Sequence, residues 1–160
     1  MNELIWAGIF IGLGGTIAMD IWAEVLARGF GQGRPNWANV GRWAGHVPRG
    51  QVFHDDIAAV RPVPGELALG WAVHYGVGIL YGVIFVFLAG QGWLAAPTFL
   101  PVWLFALVTI SAGWFLLQPG MGLGVALSRT PTPWKGRALG LVAHTFFGLG
   151  MWVVALLAAA

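Results

Sequence analysis

The sequence contains no cysteine and very little charge. Its 160 residues include eight Lys or Arg and six Asp or Glu, so that 9% of the residues are charged, where a soluble domain has about 25%. The missing cysteines exclude disulfides, thiolate metal sites and iron–sulfur clusters. A net charge of +2 is too small a basic surplus to favour nucleic acid as a partner. Because 58% of the residues are apolar, so few charges cannot cover a water-soluble surface, and the sequence predicts an integral membrane protein.

Four apolar stretches are long enough to cross a bilayer, which needs about 20 residues. We predict spans over residues 4–26, 67–89, 98–127 and 138–159. The third stretch contains Pro119, which predicts a kinked or broken helix. The expected fold is therefore an all-α, four-transmembrane-helix bundle that forms a single integral-membrane domain over residues 1–160.

The basic residues are confined to two of the three connections between spans. In a four-span protein these two loops share one side of the membrane, whereas the uncharged turn at 90–97 shares the other side with both termini. The eight basic residues are Arg28, Arg34, Arg42, Arg49, Arg61, Arg129, Lys135 and Arg137. Because basic loops are retained in the cytoplasm, we expect both termini to be periplasmic in a bacterial inner membrane.

The long first loop contains its own helical signal. Asn36 is a good helix N-cap residue, and the apolar residues Trp37, Val40, Trp43 and Ala44 follow it at helical spacing. This pattern predicts a cytoplasmic interfacial helix that lies on the membrane surface with its tryptophans at headgroup level. A second short helical stretch is expected over residues 55–60.

A short motif, Gly-xxx-His-xxx-Gly, occurs in both the second and the fourth predicted span. It comprises Gly70, His74 and Gly78 in the second span and Gly140, His144 and Gly148 in the fourth. Glycines spaced four apart share one helical face and let another backbone approach closely. The recurrence predicts a duplicated hairpin, so that the bundle consists of two parallel repeats related by an axis along the membrane normal.

Each span carries one polar residue toward its cytoplasmic half, namely Asp20, His74, Gln118 and His144. Ionisable groups at such depth are costly to bury and are functional candidates. Four interpretations remain open: interhelical packing, proton or ion movement through an Asp/His layer, a metal ion bound by Asp20 and the histidines, and a cofactor site. For the last, His74 and His144 could clamp a haem or another flat ligand, and the flanking glycines would leave room for its ring.

A second cluster of candidate residues lies in the first loop. His54, Asp55 and Glu66 carry nitrogen and oxygen donors that suit a divalent metal ion. The alternative is that Asp55 and Asp56 cap a short helix. Both interpretations remain open from sequence.

Several loop and span motifs together resemble a known family. They are GRWAGH at 41–46, HD at 54–55, PVPGE at 62–66, GW at 70–71 with HY at 74–75, QPGMG at 118–122 and SRTP at 128–131. On these motifs the chain resembles an uncharacterised bacterial integral-membrane family, the domain of unknown function numbered twenty-nine thirty-eight. The resemblance implies a small inner-membrane protein and brings no established activity or cofactor.

The expected function is that of a non-enzymatic accessory or ligand-binding subunit of a membrane complex. Its partners would be the lipid bilayer and other membrane-protein chains or further copies of itself. The alternatives are a small transporter or proton-conducting protein that uses the Asp/His layer, and a membrane-embedded, metal-dependent enzyme with its site in the first loop.

Overall fold

The regular secondary structure of the protein is helical throughout. The computed structural model describes all residues from Met1 to Ala160 and contains no strand. Four helices are long and apolar enough to cross a membrane, and they cover Asn2–Phe30, Glu66–Ala95, Phe99–Gly120 and Pro133–Ala159. The predicted all-α class with four membrane spans is confirmed. We call the first of these helices α1, the second α3 and the last α6, since a shorter helix, α2 (Trp37–His46), lies in the first loop.

The third span is irregular along its second half. It begins as α4 (Phe99–Ala112), continues as a π-helical turn (Gly113–Leu117) and ends in one α-helical turn, α5 (Gln118–Gly120). The helix was expected to reach residue 127, but it ends at Gly120 because Gly122 and Gly124 adopt positive φ angles of 88° and 75°, which no α-helix contains. The predicted break is thus present just beyond Pro119.

The other helix ends agree closely with the expected turns. Within α3, Gly90 has φ 74° and ψ 178° and interrupts the helix where the uncharged turn was predicted. The last helix starts earlier than residue 138, at Pro133, because proline suits the first helical position, where its missing N–H is not needed.

The first loop contains α2, whose start has the expected cap. The Asn36 side chain accepts a hydrogen bond from the Asn39 backbone N–H at 3.3 Å. The stretch expected to be helical over 55–60 is a single 3₁₀ turn, Ile57–Ala59, in which Asp56 accepts from the Ala58 N–H at 2.9 Å. Asp56 is therefore a capping residue, as one interpretation of the loop predicted.

Contacts within the chain form two compact units. The first unit comprises Met1–Arg34, Tyr75–Thr109 and Leu141–Ala160, and the second comprises Pro35–His74 and Ile110–Gly140. The first unit therefore contains both termini and the uncharged turn. The second contains most of both basic loops together with the adjoining ends of spans.

In the first unit, helices meet through glycine rather than through large side chains. A Cβ on Gly12 of α1 would overlap the Gly78 carbonyl oxygen of α3, and one on Gly82 would overlap the backbone of Gly8 and Gly12. Such close approach maximises van der Waals contact, which drives helix association in lipid. The core that surrounds this crossing contains Ile11, Phe85, Val86, Val102, Ala106 and Met151, all of them buried.

The second unit has a small core of its own. Val40 of α2, Ile57 of the 3₁₀ turn and Met121 after α5 are buried together. Two backbone hydrogen bonds attach the first loop to the end of the third span, from His54 N–H to the Gly120 carbonyl at 3.0 Å and from Ile57 N–H to the Met121 carbonyl at 3.1 Å. The long loop is thus an ordered structure.

Candidate functional site

Arg42 of α2 is the centre of the hydrogen-bond network in the second unit. Its Nε and Nη2 donate to the two carboxylate oxygens of Glu66 at 2.9 and 2.8 Å. Its Nη1 donates to three backbone carbonyls, those of Ile57, Ala58 and Val60, at 3.2, 2.9 and 3.0 Å. A bidentate arginine–carboxylate pair fixes geometry as well as charge, so Arg42 ties the start of α3 to the 3₁₀ turn.

The environment of this pair keeps it charged. The Arg42 and Glu66 side chains are 12% and 17% exposed, and the hydrogen bonds that Arg42 donates to Glu66 raise the pKa of the Arg42 guanidinium further above its ordinary value. The Glu66 carboxylate also accepts from the Val63 N–H at 3.1 Å. Glu66 therefore orders the loop, and its oxygens are occupied by Arg42 and the backbone.

The predicted metal ligands do not converge. Nε2 of His54 lies 3.1 Å from the Gln51 carbonyl, and the imidazole packs edge-on against His46 with ring centroids 5.6 Å apart. No three His, Asp or Glu side chains come together in a way that could hold a metal ion. The structure therefore does not bring His54, Asp55 and Glu66 together as a set of ligands, because Glu66 is directed to Arg42.

Two glycines bring α2 into direct backbone contact with the start of α3. A Cβ on Gly41 would overlap the Glu66 carbonyl oxygen, and a Cβ on Gly70 would overlap the Trp37 carbonyl oxygen. Gly70 was expected to leave room for a flat ligand. That space is filled by the backbone of α2.

His74 lies in an aromatic cluster of the second unit. Its ring stacks on Trp37, with centroids 4.0 Å apart and planes inclined by 26°, and Trp71 lies edge-on at 5.8 Å. One face of the imidazole is therefore covered by α2. Aromatic pairs of this kind add about 0.5–1.5 kcal/mol beyond the area they bury.

The remaining glycines of the repeated motif make helix contacts. Gly78 lies against the Thr16 side chain of α1 in the first unit. In the same unit, a Cβ on Gly148 of α6 would lie 3.0 Å from Ala106 Cβ of α4. In the second unit, a Cβ on Gly140 would lie 3.1 Å from Ile110 Cδ1. These glycines serve close helix packing, as the spacing predicted.

The polar residues predicted toward the cytoplasmic half of each span, one per span, are divided between the two units. Asp20 and the half-buried His144 belong to the first unit, whereas His74 and Gln118 belong to the second. Within the first unit, the Tyr75 hydroxyl donates to Asp20 Oδ2 at 2.8 Å. Sequence reasoning did not select Tyr75, although it directly follows His74 in the chain. The shared layer itself stays a prediction.

Gln118 lies at an unusual point of the third span. The Oε1 atom of its side chain is buried and accepts no hydrogen bond. The residue itself directly follows the π-helical turn Gly113–Leu117. Turns of this type are frequent at functional sites, and a buried acceptor without a donor needs an explanation. The π-helical turn and the unpaired acceptor make the end of this span a candidate for the functional site.

The segment after Gln118 contains strained backbone. Ala126 and Leu127 have φ angles of 47° and 62°, a region that costs a residue with a Cβ about 1–2 kcal/mol. Arg137 Nε donates to the Ala126 carbonyl at 2.7 Å and Thr130 Oγ1 donates to the Leu127 carbonyl at 2.8 Å. The strain is thus held in place by neighbouring side chains. Such outliers concentrate at functional sites.

An open cavity of about 510 Å³ lies between the first loop and this strained segment, within the second unit. We call it the loop cavity, and define it by the residues that line it: Phe53, His54, Asp55, Pro119, Gly124, Val125, Ser128 and Arg129. Its volume lies in the range of small-molecule sites, about 300–1,000 Å³. Sequence reasoning selected His54 and Asp55 as site candidates but not the other lining residues. Ser128 and Arg129 belong to the SRTP motif, but no sequence signal shows that this motif lies beside residues 53–55 in the fold.

The four apolar helices and their structured basic loops define a class of protein, the four-span integral-membrane proteins. Within this class, residues 9–158 match the family described as protein of unknown function, DUF2938. The match covers nearly the whole chain, so the protein belongs to this family, and the resemblance seen in its motifs is confirmed. No curated protein and no solved structure gives a significant match to the chain.

Proposed function

We propose that the protein is a non-enzymatic, ligand-binding subunit of the bacterial inner membrane and that the loop cavity is its binding site. The observation that carries this proposal is the position of the cavity. It lies between the two basic loops at the end of an irregular span. Ala126 and Leu127, which lie in the chain between the lining residues Val125 and Ser128, have left-handed backbone conformations.

The walls of the cavity are supported independently of any ligand. On one side, the bonds from His54 and Ile57 to the end of the third span fix the backbone around Asp55. On the other side, Ser128 N–H donates to Val125 and Arg129 N–H donates to Leu123, both at 3.0 Å. A preformed site loses less entropy when it binds a ligand, which favours a binding role.

The experiment fills the cavity with a large side chain. We expect Ser128→Trp to remove a small molecule that stays bound to the wild-type protein in native mass spectra recorded from membrane vesicles. Ser128 is exposed, so the larger side chain does not disturb a core. Ser111→Trp is the matched control, because Ser111 is also exposed and does not line the cavity. Identical bound masses in all three proteins would contradict the proposal.

A second candidate function, proton movement, is favoured by the bond between Tyr75 and Asp20. A carboxylate on an apolar helix that accepts a phenol hydrogen bond is suited to proton transfer along that bond. If this function is correct, Asp20→Asn should abolish acidification of proteoliposomes that contain a pH-sensitive dye, and Tyr75→Phe should slow it. Tyr81→Phe is the control, and equal rates in all variants would contradict this candidate.

We further propose that the cavity faces the cytoplasm. The support is the basic composition of both loops in the second unit, together with the absence of Lys and Arg from the turn at 90–97. In this orientation both termini are periplasmic, and α2 lies at the inner surface of the membrane.

The duplicated hairpin is also retained as a proposal. In the first unit, Gly78 of α3 contacts α1, its neighbour in the first hairpin, and Gly148 of α6 contacts α4, its neighbour in the second. Equivalent glycines thus face equivalent helices, as a parallel repeat requires. The exposed apolar helix faces would contact lipid and other membrane-protein chains or further copies of this chain.

A further inference from the structure

The loop cavity contains two opposite charges that are not paired with each other or with other groups. The ion pairs of the protein involve Glu24 and Glu66. Asp55 and Arg129 both line the cavity, both are exposed, and neither takes part in an ion pair. A ligand that complements this site therefore carries an anionic and a cationic group.

The donors and acceptors of the cavity define the two groups further. Arg129 and the Ser128 hydroxyl lie next to each other in sequence and both line the cavity. A guanidinium beside a hydroxyl suits a phosphate, to which both groups donate hydrogen bonds. The carboxylate of Asp55 is an acceptor only, so its complement is an ammonium that still carries N–H groups.

Two apolar side chains accompany these charges. Phe53 is 69% exposed and Val125 is 51% exposed, and both line the cavity. Phe53 precedes the residues bonded to the end of the third span, whose last helical residue is Gly120. A site at the end of a membrane span that combines two charges with exposed apolar side chains suits an amphiphile.

We propose that the loop cavity binds a phosphoethanolamine group, supplied by the headgroup of an ethanolamine phospholipid. The phosphate is bound by Arg129 and Ser128, and the ammonium is bound by Asp55. This inference rests on the proposed function of the cavity as a binding site. A choline headgroup has no N–H to donate to Asp55, and a headgroup with negative charge alone places that charge near the carboxylate, so the site discriminates against both.

The experiment measures lipid binding to the delipidated, full-length protein by native mass spectrometry. The probes are phosphatidylethanolamine, phosphatidylcholine and phosphatidylglycerol of the same acyl composition. We expect the ethanolamine lipid to bind about tenfold more tightly than the other two, the fold-change typical of one hydrogen bond to a charged group. Equal affinity for all three lipids would overturn the inference.

Single substitutions test the contribution of each charge to lipid binding separately. Asp55→Asn should weaken binding of the ethanolamine lipid about tenfold and leave phosphatidylglycerol unchanged or bound more tightly. Arg129→Gln should weaken both lipids. Lys135→Gln is the matched control, because Lys135 is a nearby exposed basic residue, in the first turn of α6, that does not line the cavity. An equal loss for both lipids in Asp55→Asn would contradict the assignment of the ammonium group, and unchanged helicity in each variant excludes misfolding.

Two further measurements identify the source of the ligand. They also show whether a negative result contradicts the binding function or only the assignment of the headgroup. If soluble glycerophosphoethanolamine binds as tightly as the lipid, the phosphoethanolamine class is supported and the free compound is its source. Weaker lipid binding in Phe53→Ser, with the soluble compound unaffected, assigns the lipid. If Ser128→Trp removes the bound mass but the charge variants do not change lipid selectivity, the binding function holds and this inference fails.

Discussion

Replacing Gly70 by alanine tests whether direct backbone contact holds α2 against α3. A Cβ at this position would overlap the Trp37 carbonyl oxygen and would lie 3.1 Å from Gly41 N. In the reciprocal variant, Gly41→Ala, the obstacle is the Glu66 carbonyl oxygen. Both obstacles are main-chain atoms, so turning a side chain cannot relieve them. The two helices must instead move apart.

The cost follows from overpacking. An added methyl group in a close-packed contact costs about 1–3 kcal/mol, and separation of the helices also loosens the stack of Trp37 on His74. We expect each variant to lower the free energy of unfolding by about this amount. Because α2 carries Arg42, the amide hydrogens of α2 should also exchange faster.

Gly76→Ala is the matched control. Gly76 lies in the same helix, α3, and a Cβ there would meet no atom within 4 Å. Alanine exceeds glycine in helix propensity by about 0.8–1.0 kcal/mol, so this variant should be as stable as the wild type or more stable.

The assay is unfolding of the detergent-solubilised, full-length protein by SDS titration, followed by tryptophan fluorescence. Hydrogen exchange over Trp37–His46 provides the local measurement. The close crossing of the two helices is refuted if Gly70→Ala and Gly41→Ala unfold at the same SDS concentration as Gly76→Ala and if hydrogen exchange in α2 is unchanged.

Three further predictions concern the loops. Arg42→Lys should expose the 3₁₀ turn to proteolysis, because an ammonium cannot reproduce the bidentate bond or reach three carbonyls at once; an unchanged cleavage rate would contradict this role. Ala126→Gly should raise the free energy of unfolding by up to about 1 kcal/mol, since relief of the left-handed strain exceeds the entropic cost of glycine, whereas Ala112→Gly in α4 should lower it by about 1 kcal/mol. In intact cells, a cysteine introduced near Met1 should react with an impermeant thiol reagent and one near Arg49 should not, and the opposite pattern would reverse the proposed topology.

The features predicted best from the sequence depend on local or compositional signals. The four spans follow from runs of apolar residues that only lipid can accommodate, and the start of α2 follows from Asn36, whose side chain caps the backbone three residues later. The break after Pro119 was expected for the same kind of reason. Its position was less certain, because the positive φ angles of Gly122 and Gly124 terminate the helix.

The partners of charged side chains could not be predicted in the same way. Glu66 and Arg42 are 24 residues apart in the chain, and no spacing rule relates them. Sequence reasoning assigned Glu66 to a possible metal site because carboxylates and imidazoles occur in the same loop. The path of the loop, which only the tertiary structure gives, brings Arg42 to it instead.

The glycine motifs correctly predicted close helix packing, but the space expected beside Gly70 is not present. Close helix approach was expected, and Gly78 and Gly148 show it. The empty space expected beside Gly70 is filled by a loop helix whose docking position was not visible in the sequence. The haem clamp between His74 and His144 stays a prediction, which the absorption spectrum of the purified protein would test.

The left-handed residues Ala126 and Leu127 had no sequence signal at all. Alanine and leucine rarely adopt positive φ, so no reading of residue types would select them. Their conformation depends on Arg137 and Thr130, which bind the two carbonyl groups. Strain of this kind becomes visible only when the surrounding contacts are known, and the loop cavity beside it was missed for that reason.

The hydrogen bond from His54 to Gly120 also determines when the first loop can dock during biosynthesis. Its two residues are separated by about 66 positions, and a ribosome that adds about 5–20 residues per second needs roughly 3–13 s to make the intervening chain. Throughout that interval the first loop has been synthesised while its docking partner has not. A nascent chain stalled before Gly120 would therefore carry an undocked loop that proteases and chaperones can reach, and the second unit can close only after the third helix has left the ribosome.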